Sequence, residues 1–394
     1  MTAIRSRLSF PAEPTVRVAL GAVSVLTMLL VVGLLTGGIG PAYLLYLLGL
    51  SGMYVLLAIG LNVQWGYTGM INFSVAAFFG LGAYGSAILT ASNTPTGLSL
   101  SPLVGLVVGV GLAAVVAVLI AVPTLRLSAD YLAIATLGLA EVVRIIIQNQ
   151  RAVTNGNAGL RGLPKFSEGW PLLGGFPTGA PTVTLSEITL GPFTLLGFRL
   201  GRPVWQGLLD LSVVVVMILV VYALVRRLHR SPWGRVLRTI RSDEELAKAL
   251  GKPTFRHKME AFVLGSVIMA VAGVYYAHLN LFVTPQNLAP INTFYVWIAV
   301  ILGGAGSNRG AVFGGFMIIA IREGTRFLRE LLPQQLGSGG AVTDLYTTVI
   351  GNFGATRLLA VGLLIVLVIR IRPEGVLPPR SELIWPETRE EPDE

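Results

Sequence analysis

The sequence predicts an all-α polytopic membrane protein with about eight to ten transmembrane helices, folded as a single domain over residues 1–394. Two observations lead to this prediction. Hydrophobic residues make up 53% of the chain, charged residues only 12%, and the mean hydropathy is +0.72, whereas soluble domains carry about 25% charged residues. Apolar runs of the length needed to cross a bilayer core of about 30 Å recur along the chain.

The residue types also exclude some chemistry. The sequence contains no cysteine, so disulfides, thiol catalysis and sulfur-ligated metals are excluded. Its three histidines, His229, His257 and His278, are scattered along the chain, which is not the spacing of a histidine-based metal site. We therefore expect no metal site and no redox chemistry.

The first apolar run, Val18 to Leu35, follows three arginines in the manner of a signal peptide. It is longer than the usual apolar region of about 7 to 15 residues, and the glycine-rich stretch after it offers no small-residue cleavage site. We interpret it as an uncleaved first span. In chain order the predicted spans are 18–36, 42–63, 70–91, 102–122, 131–149, 207–225, 260–279 and 356–371.

Two shorter apolar segments, 293–302 and 310–321, flank the sequence GGAGSNRG. Either they are two spans completed by less apolar flanks, or they form one re-entrant hairpin. The total is then ten or eight spans, and both counts place the two termini on the same side.

Basic residues in short loops predict the orientation, because such loops stay in the cytoplasm. Residues 226–258 hold ten Lys or Arg against three acids, so the loop 229–258 is predicted to be cytoplasmic. The basic N-terminus and the polar tail 379–394 agree with this side. Residues 151–206 carry only five basic residues and are predicted to form an outer loop. The positive net charge thus follows from topology and does not indicate a nucleic-acid partner.

A short charged helix is predicted inside the cytoplasmic loop. Ser242 and Glu245 have the spacing of a capping box, and Gly251 suits the left-handed residue that ends a helix. The predicted helix, 243–250, places Leu246 and Leu250 on one face. Because so short a helix is unstable alone in water, this face is expected to dock either on lipid headgroups or on a soluble partner.

Six segments resemble the branched-chain amino acid ABC transporter permease family, in the same order. They are GYTGMINFSVAAFFGLGAY at 66–84, DYLAIATLGLAEVVRI at 130–145, NGNAGLRGLP at 155–164, SPWGRVLRTIRSDEELAKALG at 231–251, ILGGAGSNRGAVFGG at 301–315 and RPEGVLP at 372–378. The resemblance implies the fold of an ABC importer permease. It also implies that the charged helix is the coupling helix seated on an ATP-binding subunit, formed by Ser242, Glu244, Glu245, Leu246, Ala247, Leu250 and Gly251.

The implied partners are ATP-binding subunits, a sibling permease chain and an extracytoplasmic solute-binding protein. The chain has no phosphate-binding loop of the form G-x-x-x-x-G-K-[ST]. We therefore expect no cofactor in this chain and no enzymatic activity, with ATP and Mg²⁺ bound by the partner subunits. The resemblance further implies a cell-membrane location.

Two glycine-rich segments in opposite halves, 65–85 and 302–315, predict broken helices of the kind that surround a transport path. Close helix packing through small residues is the alternative. Polar residues in or directly before these segments are the candidates for lining the path, namely Asn62, Gln64, Thr68, Asn72, Ser74, Ser307 and Asn308.

Glu141 and Arg144 are three residues apart on a predicted span and are expected to form an intramembrane ion pair. Such a pair can serve transport, or it can lock two helices together. The outer NGNAGLRGLP stretch is either a simple turn or a contact site for the binding protein.

Three functions remain open besides import of branched-chain amino acids. Related permeases for urea or short-chain amides would share the same motifs. An ion-driven secondary transporter would need acidic or histidine side chains inside the spans, where only Glu141 is evident. A membrane prenyltransferase would need clustered aspartates, but Asp130, Asp210 and Asp344 are far apart in the sequence.

Overall fold

The computed structural model describes residues 40–94, 98–168, 199–331 and 374–379, together with short strands and single residues elsewhere. The predicted first span at 18–36, most of the last span at 356–371 and nearly all of the tail 379–394 lie outside the described residues. The helices are α1 (Pro41–Leu61), α2 (Val75–Thr90), α3 (Pro102–Thr124), α4 (Ala129–Asn149), α5 (Arg151–Thr154), α6 (Arg202–Arg230), α7 (Pro232–Ser242), α8 (Glu244–Ala249), α9 (Thr254–Asn280), α10 (Pro290–Gly303) and α11 (Asn308–Leu331).

Short two-residue and three-residue strands accompany these helices. They pair antiparallel as β1 (Leu160–Arg161) with β6 (Phe282–Val283), β2 (Val183–Thr184) with β5 (Arg199–Leu200), and β3 (Ile188–Leu190) with β4 (Phe193–Leu195). The all-α polytopic architecture that the sequence predicts is confirmed, since the strands lie in the connections between the helices.

Four of the described helices are long and apolar enough to cross a membrane. One is α1, which continues as a π-helical turn, Asn62–Gly66; the others are α3, α6 and α9. In the most apolar 18-residue stretch of each helix, 78% of the residues of α1 and 72% of those of α9 are buried. In the same stretch of α3 and α6, only 22% and 28% of the residues are buried. The central core is therefore built around α1 and α9, while α3 and α6 turn valines and leucines outward, as lipid-facing helices do.

Small residues let the helix backbones approach closely. A Cβ atom added at Gly273 of α9 would lie 1.9 Å from the Phe79 carbonyl oxygen of α2, and one at Gly314 of α11 would lie 1.8 Å from the Ala299 carbonyl oxygen of α10. The helix α3 buries only small residues against the bundle after its first residue, at Gly105, Gly109, Ala113, Ala117 and Ala121. These contacts leave no room for side chains between the helices.

The predicted span 70–91 is only partly helical. Residues 69–74 are non-helical, and α2 begins at Val75. The start of α2 lies beside α10, since the Ala76 amide donates to the Thr293 hydroxyl at 3.1 Å. The two short helices then run apart. The end of α2 reaches the 151–168 region, where the Ser92 amide donates to the Gly162 carbonyl at 3.0 Å, and α10 ends near Gly66.

The non-helical residues 69–74 are the first break between helices. A second break lies at residues 281–289, and not in the predicted segment 302–315. Within 302–315, residues 304–307 form a tight turn between α10 and α11, with Gly304 and Gly306 at φ +113° and +93°. Gly303 and Gly310, on either side of the turn, are in close backbone contact. The glycines there serve packing and turn geometry. Residues 281–289 contain β6 and a 3-10 turn, Pro285–Leu288, before α10 starts.

This arrangement favours two spans over a re-entrant hairpin. The helix α10 has 14 residues, which rise about 21 Å and do not cross a core of about 30 Å alone. The break at 281–289 starts at β6, beside β1 of the predicted outer loop. The end of α10 lies near Gly66 and Arg241, at the opposite end of the bundle. The break and α10 together therefore connect the two ends.

We predict that the two ends of the bundle can be labelled separately. With no native cysteine, Ser242→Cys and Lys252→Cys should react only with reagent supplied from the cytoplasm, and Arg161→Cys only with reagent supplied from outside. Maleimide labelling of intact and inverted vesicles measures this. Reaction of all three variants from one side would contradict the topology.

We also predict that the glycine contact between α2 and α9 is essential for packing. Gly273→Ala places a methyl group against the Phe79 carbonyl, so the two helices must separate. Gly138→Ala on α4 is the control, because nothing lies within 4 Å of the added carbon. Melting in detergent should occur at a clearly lower temperature for Gly273→Ala only; equal melting of both variants would show that the contact is dispensable.

Candidate functional site

The helix α8 begins one residue later than the sequence predicts. Asp243 is the N-cap, and its carboxylate accepts a hydrogen bond from the Leu246 amide at 2.9 Å. The predicted capping box of Ser242 and Glu245 is wrong. Ser242 is the last residue of α7, where its hydroxyl donates to the Thr239 carbonyl at 3.0 Å, and Glu245 pairs with Lys248 at 2.9 Å. Asp243 has an extended backbone, and an acidic side chain is a favoured N-cap residue beside the positive end of the helix dipole.

The other end of α8 agrees with the prediction. Gly251 has φ +71°, the left-handed conformation expected of the residue that ends the helix. Its amide donates to the Lys248 carbonyl at 2.9 Å, and the Lys252 amide donates to the Ala247 carbonyl at 3.1 Å. These two bonds are those of a Schellman motif. The helix therefore has a defined start and end, although it contains only six residues.

One side of α8 is attached to the protein and the other is open. Ala247 is fully buried, whereas Leu246 is 51% and Leu250 63% exposed. The two leucines are four residues apart, so they share a face. This face presents apolar surface away from the bundle.

The α7–α8 segment contacts the bundle through buried Leu237 and Ile240 and through polar contacts, of which two involve the α8 end. Glu244 accepts a hydrogen bond from Lys258 of α9 at 2.9 Å. Burial would raise the pKa of Glu244, but the hydrogen bond from Lys258 and the charges of Lys258 and Lys248 outweigh it and lower that pKa. At the other contact, the guanidinium of Arg241 in α7 donates to the Gly66 carbonyl, at the end of the π-helical turn.

The candidate path residues of the first half form a buried hydrogen-bond network. Asn62, Gln64, Asn72 and Ser74 are fully buried, and Thr68 is 5% exposed. The Gln64 side-chain nitrogen donates to the Phe262 carbonyl of α9 at 2.7 Å. The Gln64 side-chain oxygen accepts from the Asn72 side-chain nitrogen, also at 2.7 Å. The Asn72 oxygen accepts from the backbone amide of Ser74 at 2.7 Å. Thr68 donates to the Gln64 carbonyl.

A separate set of hydrogen bonds, made by Asn62 and Tyr67, joins the two halves of the chain. The Asn62 side-chain oxygen accepts from the Gly306 amide at 2.7 Å, and its nitrogen donates to Asn308 at 3.2 Å. Tyr67 also donates to Asn308. In this conformation Asn62, Gln64, Asn72 and Ser74 contact protein groups and line neither of the two cavities described below. Their assignment to a transport path therefore stays a prediction.

Ser307 and Asn308 lie elsewhere, on a cavity of about 1020 Å³ at the α7 end of the bundle. This cavity is basic. Its lining includes Arg226, Arg230, Arg235, Arg238, Arg241 and Arg309, and it adjoins Ser242 at the end of α7. It opens at the end of the bundle that the charge pattern predicts to be cytoplasmic.

A second cavity, of about 660 Å³, lies where the two short helices begin. Val75 and Ala76 of α2 and Ile291 and Asn292 of α10 form part of its wall. The remaining polar lining comes from Tyr46, Tyr54, Tyr276, Gln286, Asn287, Tyr295 and Arg322. None of these residues was predicted from the sequence to lie at the path. The predicted span 310–321 stopped one residue before Arg322, whereas α11 continues to Leu331. A charged residue directly after an uninterrupted apolar run was the sequence feature that could have indicated Arg322.

The Glu141–Arg144 pair forms as predicted, with Arg144 Nε donating to Glu141 Oε2 at 2.8 Å. Both residues belong to α4, and the two side chains are 37% and 21% exposed. The ion pair therefore closes within one helix and does not join α4 to another described helix.

The NGNAGLRGLP stretch is fastened to the bundle at several points. The Leu163 amide donates to the Leu281 carbonyl at 3.3 Å, and His278 hydrogen bonds to the Pro164 carbonyl at 2.7 Å. Lys165, directly after the stretch, pairs with Asp210 of α6 at 2.5 Å. The stretch is thus a fixed platform over the ends of α6 and α9.

Comparison with known proteins is consistent with this picture. The family model for the permease component of the branched-chain amino acid transport system matches residues 43–369. The high-affinity branched-chain amino acid transport system permease protein LivM of Salmonella typhimurium is 30% identical over 83% of this chain and 68% of its own length. LivM of Escherichia coli is 29% identical over 84% and 68%. The corresponding permease protein LivH of Salmonella typhimurium is 26% identical over 70% and 82%. No solved structure matches the chain.

We predict that Asn72 stabilises the broken segment. Asn72→Ala leaves the Gln64 oxygen and the Ser74 amide without the partners they have here. Each unsatisfied buried group costs about 1–3 kcal/mol, so the two groups together should lower the free energy of unfolding by about 2–6 kcal/mol. Asn149→Ala is the control, since Asn149 is exposed and bonds within its own helix. Thermal unfolding in detergent measures both, and equal stability of the two variants would contradict the assigned role.

Proposed function

Because the chain belongs to the branched-chain amino acid transport permease family, we propose that it is the transmembrane subunit of an ATP-driven importer for branched-chain amino acids. It would be a multi-pass protein of the cell membrane with both termini in the cytoplasm. Its role would be to change the accessibility of a substrate site and not to catalyse a reaction.

The observation that carries this proposal is the construction of α8. A helix of six residues is too short to be stable by itself, yet α8 has an N-cap, a Schellman end and an open apolar face. A lipid surface does not require defined helix ends, whereas a cleft on a protein does. These features support α8 as the coupling helix that an ATP-binding subunit holds.

The contacts of the α7–α8 segment supply a route for the movement. A displacement of α8 would act on α9 through Glu244 and Lys258, and on the first broken segment through Arg241 and Gly66. That segment leads through the buried network to the start of α2, beside the cavity of about 660 Å³. Alternating access would follow from a shift of the short helices around this cavity.

The remaining partners follow from the same proposal. Salmonella typhimurium has both a LivM and a LivH permease protein, and the chain is similar to each, which supports pairing with a sibling permease. ATP and Mg²⁺ would be bound by two ATP-binding subunits. The platform at 155–165 would receive an extracytoplasmic solute-binding protein.

The test is Gly251→Val. The position has open space, with nothing within 4 Å of an added Cβ, but its φ of +71° is left-handed. A non-glycine residue there costs about 1–2 kcal/mol, and a β-branched one more. We expect normal membrane levels, reduced co-purification of the ATP-binding subunit, and uptake at least tenfold lower in proteoliposomes.

Gly251→Asn is the matched control, because asparagine tolerates the left-handed conformation. It should retain most of the uptake and most of the association. Wild-type association and uptake by Gly251→Val would show that α8 is not the coupling helix, and would leave the headgroup surface as its docking site.

A further inference from the structure

The basic cavity of about 1020 Å³ collects arginines from three separate elements. They come from the end of α6, from α7 and from the start of α11, namely Arg226, Arg230, Arg235, Arg238, Arg241 and Arg309. No Asp or Glu is among the described residues that line this cavity. Six guanidinium groups therefore border one space whose described wall holds no carboxylate.

Four of these arginines differ from other basic side chains of the same cytoplasmic loop. Elsewhere in the loop, three basic residues bond to acids at 2.9 Å, namely Lys248 to Glu245, Arg256 to Glu260 and Lys258 to Glu244. Arg226, Arg230, Arg235 and Arg309 form no ion pair with any residue that the structure describes. Because like charges repel one another and a concave site concentrates their field, the cavity favours an anionic occupant.

The chain before the C-terminal tail is fixed at the wall of this cavity. The Leu377 amide donates to the Gly303 carbonyl, at the end of α10, at 2.9 Å. Pro378 and Pro379 then line the cavity. The tail, residues 380–394, therefore starts at the cavity itself.

The tail also carries the opposite charge. Residues 380–394 contain six acids and two arginines, a net charge of −4 in a chain whose total is +9. A residue extends by up to about 3.3 Å, so the tail reaches up to about 50 Å and its acids can approach all of the arginines. Since a short attached segment has an effective concentration in the mM range, the tail has an advantage over a free anion or a lipid headgroup.

We propose that the acidic tail 380–394 binds in the basic cavity, where its carboxylates pair with Arg226, Arg230, Arg235 and Arg309. The bound tail links α7 to α6 and to α11, and thereby restrains the α7–α8 segment. Release of the tail leaves that segment with its other contacts only. The interaction occurs within one chain, so it goes beyond the proposed transport function and does not depend on it.

The test follows a single thiol in the tail. Because the chain has no native cysteine, Thr388→Cys gives the full-length chain one reactive site. Its labelling rate with a polyethylene-glycol maleimide is measured in nanodiscs of phosphatidylcholine, relative to a free peptide of the same tail sequence. We expect slow labelling at low salt and a rate close to that of the peptide in 1 M NaCl, because salt screens exposed ion pairs. Peptide-like labelling at both salt concentrations would overturn the proposal.

Charge reversal identifies the two sides of the interaction. Arg230→Glu/Arg309→Glu in the cavity and Glu390→Arg/Glu391→Arg in the tail should each raise the labelling rate about fivefold or more, since each exposed ion pair contributes a factor of about 1.5 to 5. The tail substitutions leave the bundle unaltered, so a folding defect does not explain their effect. Combining the four substitutions restores opposite charges and should slow labelling again; fast labelling of the combined variant would contradict direct pairing.

Arg227→Glu/Lys252→Glu is the matched control, because both residues belong to the same loop but do not line the cavity. It should label as slowly as the parent Thr388→Cys chain, and acceleration equal to that of the cavity variant would contradict a defined site. Fast labelling of the parent, with a melting temperature that rises on addition of pyrophosphate or phosphatidylglycerol, would assign the cavity to a phosphate group and overturn the proposal. No ATP-binding subunit is present in these measurements, so their result is independent of the coupling proposal.

Discussion

The need to satisfy backbone groups inside the bilayer governs this structure. Non-helical chain within a membrane is tolerated only when its N–H and C=O groups find partners in the protein. In the break before α2, the Phe73 amide donates to Thr136 at 3.0 Å, the Ser74 amide to Asn72, and the Asn72 carbonyl accepts from Trp297 at 3.1 Å. The partners come from α4, from the break itself and from α10. The break is therefore stable only because other helices surround it.

This constraint explains why polar residues lie in the interior of the bundle, beside the first break. Gln64 connects the break to α9 through the Phe262 carbonyl and to Asn72, and Asn62 connects it to the α10–α11 turn. A network with every member bonded favours one arrangement, because any partial alternative leaves buried groups unpaired. The breaks are therefore held in one arrangement by the helices around them. The cavity of about 660 Å³ lies beside them because α2 and α10 begin there and the lining changes from irregular backbone to helix.

The sequence predicted the helices well and their interruptions less well. Length and hydropathy are sufficient to predict the helices α1, α3, α6 and α9, because a lipid environment imposes both on a membrane-spanning helix. They are insufficient to predict the break at 281–289, because this stretch has no glycine cluster. They also do not predict that Asp243 and not Ser242 is the N-cap, since both residue types cap helices. Arg322 was missed because a hydropathy window ends at the first charge, whereas α11 continues past it. Such positions depend on tertiary contacts that a single sequence does not display.

The different natures of the helix contacts suggest where movement is permitted. The glycine contacts between α2 and α9 and between α10 and α11 bring backbones together without interlocking side chains, and small residues of this kind provide dispersion contact along a smooth surface. The α7–α8 segment buries Leu237 and Ile240 and, in addition, makes directional bonds at Glu244 and Arg241. If an ATP-binding subunit holds α8 as proposed, a force on α8 would be transmitted through these directional bonds, while the smooth contacts would offer little resistance to sliding. The bonds at Glu244 and Arg241 lie on different elements, α9 and the first break, so a rotation of α8 would move the break relative to α9 and act on the start of α2 beside the cavity.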